Sequence, residues 1–181
     1  LLKKHSTNGT NLFKNVIASS GAFTDVIADS NGIIYASDSK GYIYVYTRDG
    51  ELIFCLGEKA GNNDVSGLFS SLTTIAVDNN GNIWTADGKK GFIQSFTPTE
   101  YATTIYKALQ EYENGDYTDA LKDWNYVLRL NQMSVLAHNG VAKAYYNDEE
   151  YDKAMEHFEI AGNRSGYSDA FWEVRNKGIQ K

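Results

Sequence analysis

The sequence predicts an α+β chain made of two repeat domains in series, short β-strands first and helical hairpins after them. Three observations carry that expectation. In the first half a pattern of alternating apolar residues recurs at an offset of 49 residues; near Thr97 the apolar spacing changes; and from there matching residues recur at an offset of 34. Alternation with period two is the signature of a half-buried strand, and spacing of three to four is that of a helix.

The first repeat is read by setting FTDVIADSNGIIYASD (residues 23–38) on LTTIAVDNNGNIWTAD (residues 72–87). Thr24 meets Thr73, Asp29 meets Asp78, Asn31 meets Asn80, Gly32 meets Gly81, Tyr35 meets Trp84 and Asp38 meets Asp87. After one inserted residue the match resumes, Gly41 with Gly91, Ile43 with Ile93 and Tyr46 with Phe96. Each copy divides into a first strand (26–29 and 75–78), an Asn-Gly hairpin turn, a second strand (33–37 and 83–86) and a third (42–47 and 92–97). Asn-Gly suits tight hairpins because both residues tolerate positive φ. In the first copy residues 52–57 supply a fourth, outer strand, and they place Cys55, the one cysteine, in an apolar run where a small buried hydrophobe is expected.

These copies resemble the NHL repeat, in which an Ala-Val-Asp strand leads through a Gly-Asn-Ile-Tyr turn and strand to Ala-Asp and a strand ending in an aromatic. The resemblance implies a partial β-propeller of about two four-stranded blades over residues 1–97. Closed propellers have about four to eight blades, so these do not close a ring. Because LLKKHSTNG stands where the outer part of a preceding blade belongs, the chain is expected to be the C-terminal piece of a longer protein, with a sheet region that is incomplete as a folding unit.

At residues 97–100, TPTE reads as a capping box, with the Thr97 hydroxyl accepting an orphan N–H, Pro98 at the first helical position and Glu100 reaching back. Beyond it Ala108 pairs with Ala142, Tyr112 with Tyr146, Tyr117 with Tyr151, Ala120 with Ala154 and Trp124 with Phe158. Small residues where helices cross, with aromatics between them, resemble the tetratricopeptide repeat. That resemblance implies an all-α helical-hairpin array over residues 98–181, with two repeats at 101–134 and 135–168 and a C-terminal capping helix from Ser168. In that helix Phe171 and Trp172 would cover the open end. Gln132 in place of a proline and Glu149 in place of the turn glycine found at Gly115 depart from the pattern. The order of the two modules resembles bacterial surface proteins of low-GC Gram-positive species. It implies a location on the extracellular face of the membrane, a tether supplied only by a segment outside this chain, and a cell-surface or transporter component among the partners. A cytoplasmic location is the alternative.

The chemistry-bearing residues are expected to be structural. Net charge is −6, of which −2 falls on residues 1–100 (8 basic, 10 acidic) and −4 on residues 101–181 (9 basic, 13 acidic). With no basic run beyond a pair, nucleic acid is not expected as a partner. Asp29, Asp78, Asp38 and Asp87 border turns and read as acceptors of backbone N–H groups. His138 and His157 lie on different predicted helices with no Cys or third His nearby. The segment NNDVSG at residues 62–67 lacks the acidic twelfth ligand of a calcium loop, Thr73 standing there, and reads as a linker. No nucleophile elbow or phosphate loop appears. No catalytic residue, metal ligand or cofactor is therefore assigned.

The expected function is that of a protein-binding or scaffold module with a protein or peptide partner. In the tetratricopeptide pattern the fifth, ninth, twelfth and thirteenth positions of each repeat face a groove. The resemblance places Ile105, Leu109, Tyr112, Glu113, Asn139, Lys143, Tyr146 and Asn147 there. Only Asn139 and Lys143 suit a terminal carboxylate, so an extended segment with an apolar stretch and one acid is the expected ligand. Against this stands the reading that the capping helix or the propeller fills the groove. A fragment of a metal-dependent propeller lactonase or lyase, and a cytoplasmic adaptor, are the other readings.

Overall fold

The computed structural model describes residues 1–60 and 65–179. The chain is α+β and divides into two compact units, Leu1–Pro98 and Thr99–Lys181. Its antiparallel sheets are open and do not close into a barrel.

In the sheet unit β1 (Phe23–Ala28), β2 (Ile34–Asp38), β3 (Ile43–Tyr46) and β4 (Leu52–Leu56) form an antiparallel meander in sequence order. Two short strands, β5 (Glu58–Lys59) and β6 (Leu68–Phe69), pair in parallel. A second meander follows, of β7 (Leu72–Val77), β8 (Ile83–Asp87) and β9 (Phe92–Phe96). This sheet has three strands among the described residues, where four were expected. The chain leaves β9 directly into Pro98, which has no N–H to give a ladder, and then starts a helix. The expected linker at residues 62–67 lies partly outside the described residues; of the described part, Gly67 N–H donates to Gln94 Oε1 at 2.8 Å.

Turn chemistry sets the register. Asp29 Oδ1 accepts from the N–H groups of Asn31 and Ile33, both at 2.9 Å, while Gly32 takes φ 81°. Asp78 repeats this with Asn80 and Asn82, and Gly81 takes φ 79°. The two-residue Asn-Gly turn expected from sequence does not form, because neither Asn has positive φ. A carboxylate that accepts the N–H groups two and four residues ahead of it holds the turn closed and leaves one left-handed position, which glycine fills. The same pattern recurs at Asp38 with Gly41 and at Thr47 with Gly50, so turn acceptors stand at intervals of nine residues along the first meander.

Both faces of the first sheet are covered, which is why β2 is buried at every position. On one face Phe13 and Ile17, from an N-terminal segment closed by the bridges Leu2 to Ile17 and His5 to Asn11, pack with Ile34, Ala36 and Tyr46. On the other face lies β7. Asp25 Oδ2 accepts from Thr74 Oγ1 at 2.6 Å and from Ile75 N–H at 3.0 Å. Asp25 and Thr74 occupy the same repeat position, 49 residues apart, so each copy meets its neighbour at equivalent points.

The helical unit comprises α1 (Glu100–Asn114), α2 (Tyr117–Leu130), α3 (Val135–Asn147), α4 (Tyr151–Ile160) and α5 (Arg164–Ile179). The cap of α1 is Thr99, whose hydroxyl accepts from Ala102 N–H, and not Thr97 as expected. Glu100 is thereby the first helical residue, two positions short of the one that closes a capping box, and its carboxylate instead accepts from Tyr126 OH at 2.7 Å. Gly115 ends α1 at φ 87°.

Packing follows the small-against-aromatic rule. A Cβ on Gly140 would stand 2.3 Å from the ring of Trp124, and one on Gly166 would stand 2.5 Å from the ring of Phe158. Helix α5 begins at Arg164, four residues before the expected Ser168. Gly162, at φ 66°, ends α4, and Asn163 Oδ1 then accepts from Gly166 N–H at 3.0 Å, starting the next helix at once. As a result Gly166 and Ala170 face the interior, while Phe171 and Trp172, expected to cover the end, are 45% and 51% exposed.

Candidate functional site

The eight residues expected in a groove separate into three groups. Ile105 is fully buried and Asn139 is 9% exposed, so neither offers a surface. Asn139 Oδ1 accepts from Asn163 Nδ2 at 3.0 Å, which orients the residue that caps α5. Helix α3 lies at the centre of the unit, buried almost all round from Leu136 to Ala144, because it packs on α2 and α4 as well as beside α1.

Tyr146 forms the second group. It packs with Tyr145, Tyr151 and Met155 on the cluster of Ala142, Ala154, Phe158 and Ala170, with its ring edge-on to Tyr151 at 5.3 Å. Burial pushes its hydroxyl pKa up, and the Glu173 and Asp169 carboxylates of α5, with Tyr151, add to the shift. Tyr146 is thus a packing residue beside α5.

Leu109, Tyr112, Glu113, Lys143 and Asn147 make up the third group, at the C-terminal ends of α1 and α3. Asn147 Nδ2 donates to Tyr112 OH at 2.9 Å and to Lys143 O at 2.8 Å, tying the two helices together at this end. The Tyr112 ring packs on Tyr117 at 5.3 Å, so its orientation is fixed from below. Leu109, Tyr112 and Lys143 are half-buried, and Glu113 and Asn147 are exposed. The face therefore combines an aliphatic side chain, an aromatic ring held in place, an amide and one charge of each sign. Extended polypeptide is recognised by such a mixture.

The four aspartates that border turns are occupied by the fold. Asp38 is fully buried and accepts from Ser20 Oγ, Gly21 N–H, Tyr44 OH, Lys40 N–H and Tyr42 N–H, all between 2.9 and 3.2 Å. At Asp87 burial pushes the pKa up, but N–H groups of Lys90, Ser70, Ser71 and Lys89 outweigh it and hold the carboxyl below its ordinary value. Hydrogen bonds from Asn82 and Trp84 lower Asp78 to about 2. Among the described residues no cluster of three or more His, Cys, Asp or Glu side chains is arranged to hold a metal ion. Cys55, expected as a small buried hydrophobe, is instead exposed on β4; partial desolvation of its sulfur, then the Asp38 charge, pushes its thiol pKa up.

Two features escaped the sequence reading. His138 and His157, on different helices as expected, meet with their Nδ1 atoms 2.9 Å from each other. No periodicity reports a contact between two different helices made by unlike repeat positions. The second feature is the outer face of the β7–β9 sheet, where Trp84 is 44% and Ile93 is 70% exposed although their counterparts Tyr35 and Ile43 are fully buried. Among the described residues no helix is long and apolar enough to cross a membrane. No family model matches the chain, and no curated protein matches it.

Proposed function

We propose that this chain is a repeat-built binding module, with NHL-type propeller blades followed by a tetratricopeptide pair, whose helical unit holds an extended protein segment on the α1–α3 face. One observation carries the reading: the Asn147–Tyr112 hydrogen bond, which joins equivalent ends of two helices 35 residues apart and holds polar and aromatic groups at the surface before any ligand arrives. Groups fixed in advance lose little entropy on binding. The ligand this face suits has an apolar stretch against Leu109 and Tyr112 and an acidic residue toward Lys143. The 49- and 34-residue repeats and the hairpin packing support the two family assignments. The surface location belongs to the same reading and rests on the resemblance in module order.

The test is selection of displayed peptides on the full chain, followed by binding of the enriched peptides to a Leu109→Ala, Lys143→Glu double variant. Neither side chain lies in the buried core, so the circular dichroism spectrum should stay unchanged. A loss of about 1–4 kcal/mol in affinity is expected if both are hot spots. Enriched peptides lacking an acid, or binding the variant equally well, would remove the α1–α3 face as the site.

A further inference from the structure

The hydrogen-bond chain through the two helical histidines assigns each ring its proton. His138 Nε2 lies 3.0 Å from the Gln132 carbonyl oxygen. A carbonyl only accepts, so this nitrogen carries a hydrogen. In the neutral pair His138 Nδ1 is then a lone pair, and His157 Nδ1–H donates to it across 2.9 Å. The chain runs from the α2–α3 connection through α3 to α4, with the His157 ring also 6.0 Å from that of Tyr145.

We propose that this pair is a proton-operated latch on the α3–α4 hairpin, closed with no proton or one added and released by the second. The first added proton is accommodated. His138 as an imidazolium donates Nε2–H to Gln132 and Nδ1–H to His157 Nδ1, or His157 takes the proton on Nε2 and keeps donating from Nδ1. With two added protons every ring nitrogen carries a hydrogen, the Nδ1 atoms face each other as donors, and two positive charges stand side by side. The N–H···N bond is lost and the helices are driven apart at this point.

The surrounding groups do not cancel that repulsion. Beside His157 on α4 is Glu156, which acts to raise the His157 pKa, but burial and then His138 lower it by more. Besides His138, α3 brings the Tyr145 phenol beside His157, and the Tyr145 ring carries Lys153 of α4 at 5.3 Å, a further positive charge. Of α5, Asp169 and Glu173 act on Tyr146, and Lys177 sits over Tyr151, six residues along α4 from His157. The α2–α3 connection contributes the uncharged Gln132 carbonyl. A lowered histidine pKa means the folded hairpin holds fewer protons than the unfolded one. Its contribution is complete above the ordinary histidine value of 6.5 and falls as pH drops below it.

The latch stands whether or not the α1–α3 face binds a peptide. Its test is amide exchange in α4 of the full chain at pH 6 and pH 5, corrected for intrinsic rates, with imidazole nitrogen shifts to report the tautomers. The hairpin opening constant should rise about tenfold per pH unit for one proton withheld. His157→Gln keeps a donor toward His138 but cannot titrate, and should flatten the profile. His5→Gln, in the sheet unit, should leave it intact. Flat exchange in the parent chain, or a tenfold rise that persists in His157→Gln, would overturn the proposal. Should that variant fail to fold, the nitrogen shifts of the parent decide. Two independent titrations at the ordinary histidine value would overturn the latch, and two separated steps with a neutral His138 Nε2–H tautomer would support it.

Discussion

Asp38 in the sheet unit and Trp124 in the helical unit are both buried, and each organises its surroundings, but by opposite means. Asp38 gathers five donors, backbone and side chain, from residues 20–21 and 40–44 around one carboxylate. Trp124 gathers nothing polar: its indole N–H is buried with no partner among the described residues, and it holds its place by filling the gap left by Gly140. A meander of short strands leaves its hairpin ends with N–H groups that no ladder uses, so it needs acceptors in the interior. Helices satisfy their own backbone and need only shapes that fit. The sheet unit should therefore be sensitive to lost acceptors, and the helical unit to added volume.

The largest separation of the two is expected from Asp38→Ala, which leaves several buried donors without an acceptor. Each buried donor left without an acceptor costs about 1–3 kcal/mol. Unfolding followed by amide exchange should show β1–β4 opening far more readily while α1–α5 keep their protection. Gly140→Ala is the counterpart in the helical unit. Alanine favours the helix by roughly 1 kcal/mol, but overpacking against a buried ring costs about 1–3 kcal/mol. At 2.3 Å from Trp124 the clash prevails, so urea midpoints for the helices should fall. Equal loss in both units from either substitution would erase the distinction.

Acid should separate them in a graded way. Asp78, held at about 2 by Asn82 and Trp84, and Asp87, held low by backbone N–H groups that outweigh burial, have folded pKa values below the ordinary 3.8. Their contribution is complete above that value and is lost as pH falls from about 4 toward 2. The His138–His157 pair acts earlier, below 6.5. Circular dichroism between pH 7 and 3 should show the helical signal weakening first. The smallest effect is expected at Glu149, the lone non-glycine residue with positive φ among those described, at φ 60°. Glu149→Gly relieves that strain but removes an exposed ion pair with Lys177 at 2.8 Å. Exposed pairs contribute little, so the helical unit should melt roughly 4 °C higher.

Glu149 also shows what the sequence made legible. Its departure from the Gly115 pattern was visible at an offset of 34, and the left-handed backbone it adopts is the one glycine serves. Turn positions were legible in general because a left-handed residue and an Asp acceptor are local requirements. Errors came where neighbouring residues offered the same chemistry. Thr97 and Thr99 both have the hydroxyl a cap needs, and Asn163 and Ser168 could each start α5; hydrogen-bond geometry chose Thr99 and Asn163. Of the candidate face, the placing of Tyr112 and Lys143 was what the resemblance to the tetratricopeptide pattern implied, and both are half-buried. The burial of Ile105 and Asn139 was not legible, since it depends on how many helices surround α1 and α3. The histidine contact was beyond any reading of periodicity.

Two surfaces of unlike construction remain open to a partner, the α1–α3 face with its preset Tyr112 and Asn147, and the β7–β9 face with Trp84 and Ile93. Binding mapped by backbone chemical shifts, with the full chain titrated by an enriched peptide, distinguishes them directly. The expected result is a contiguous set of shifts at Leu109, Tyr112, Glu113, Lys143 and Asn147 with the sheet unit unmoved. Shifts confined to Trp84, Ile93 and their strand neighbours would contradict the account and make the sheet the binding surface.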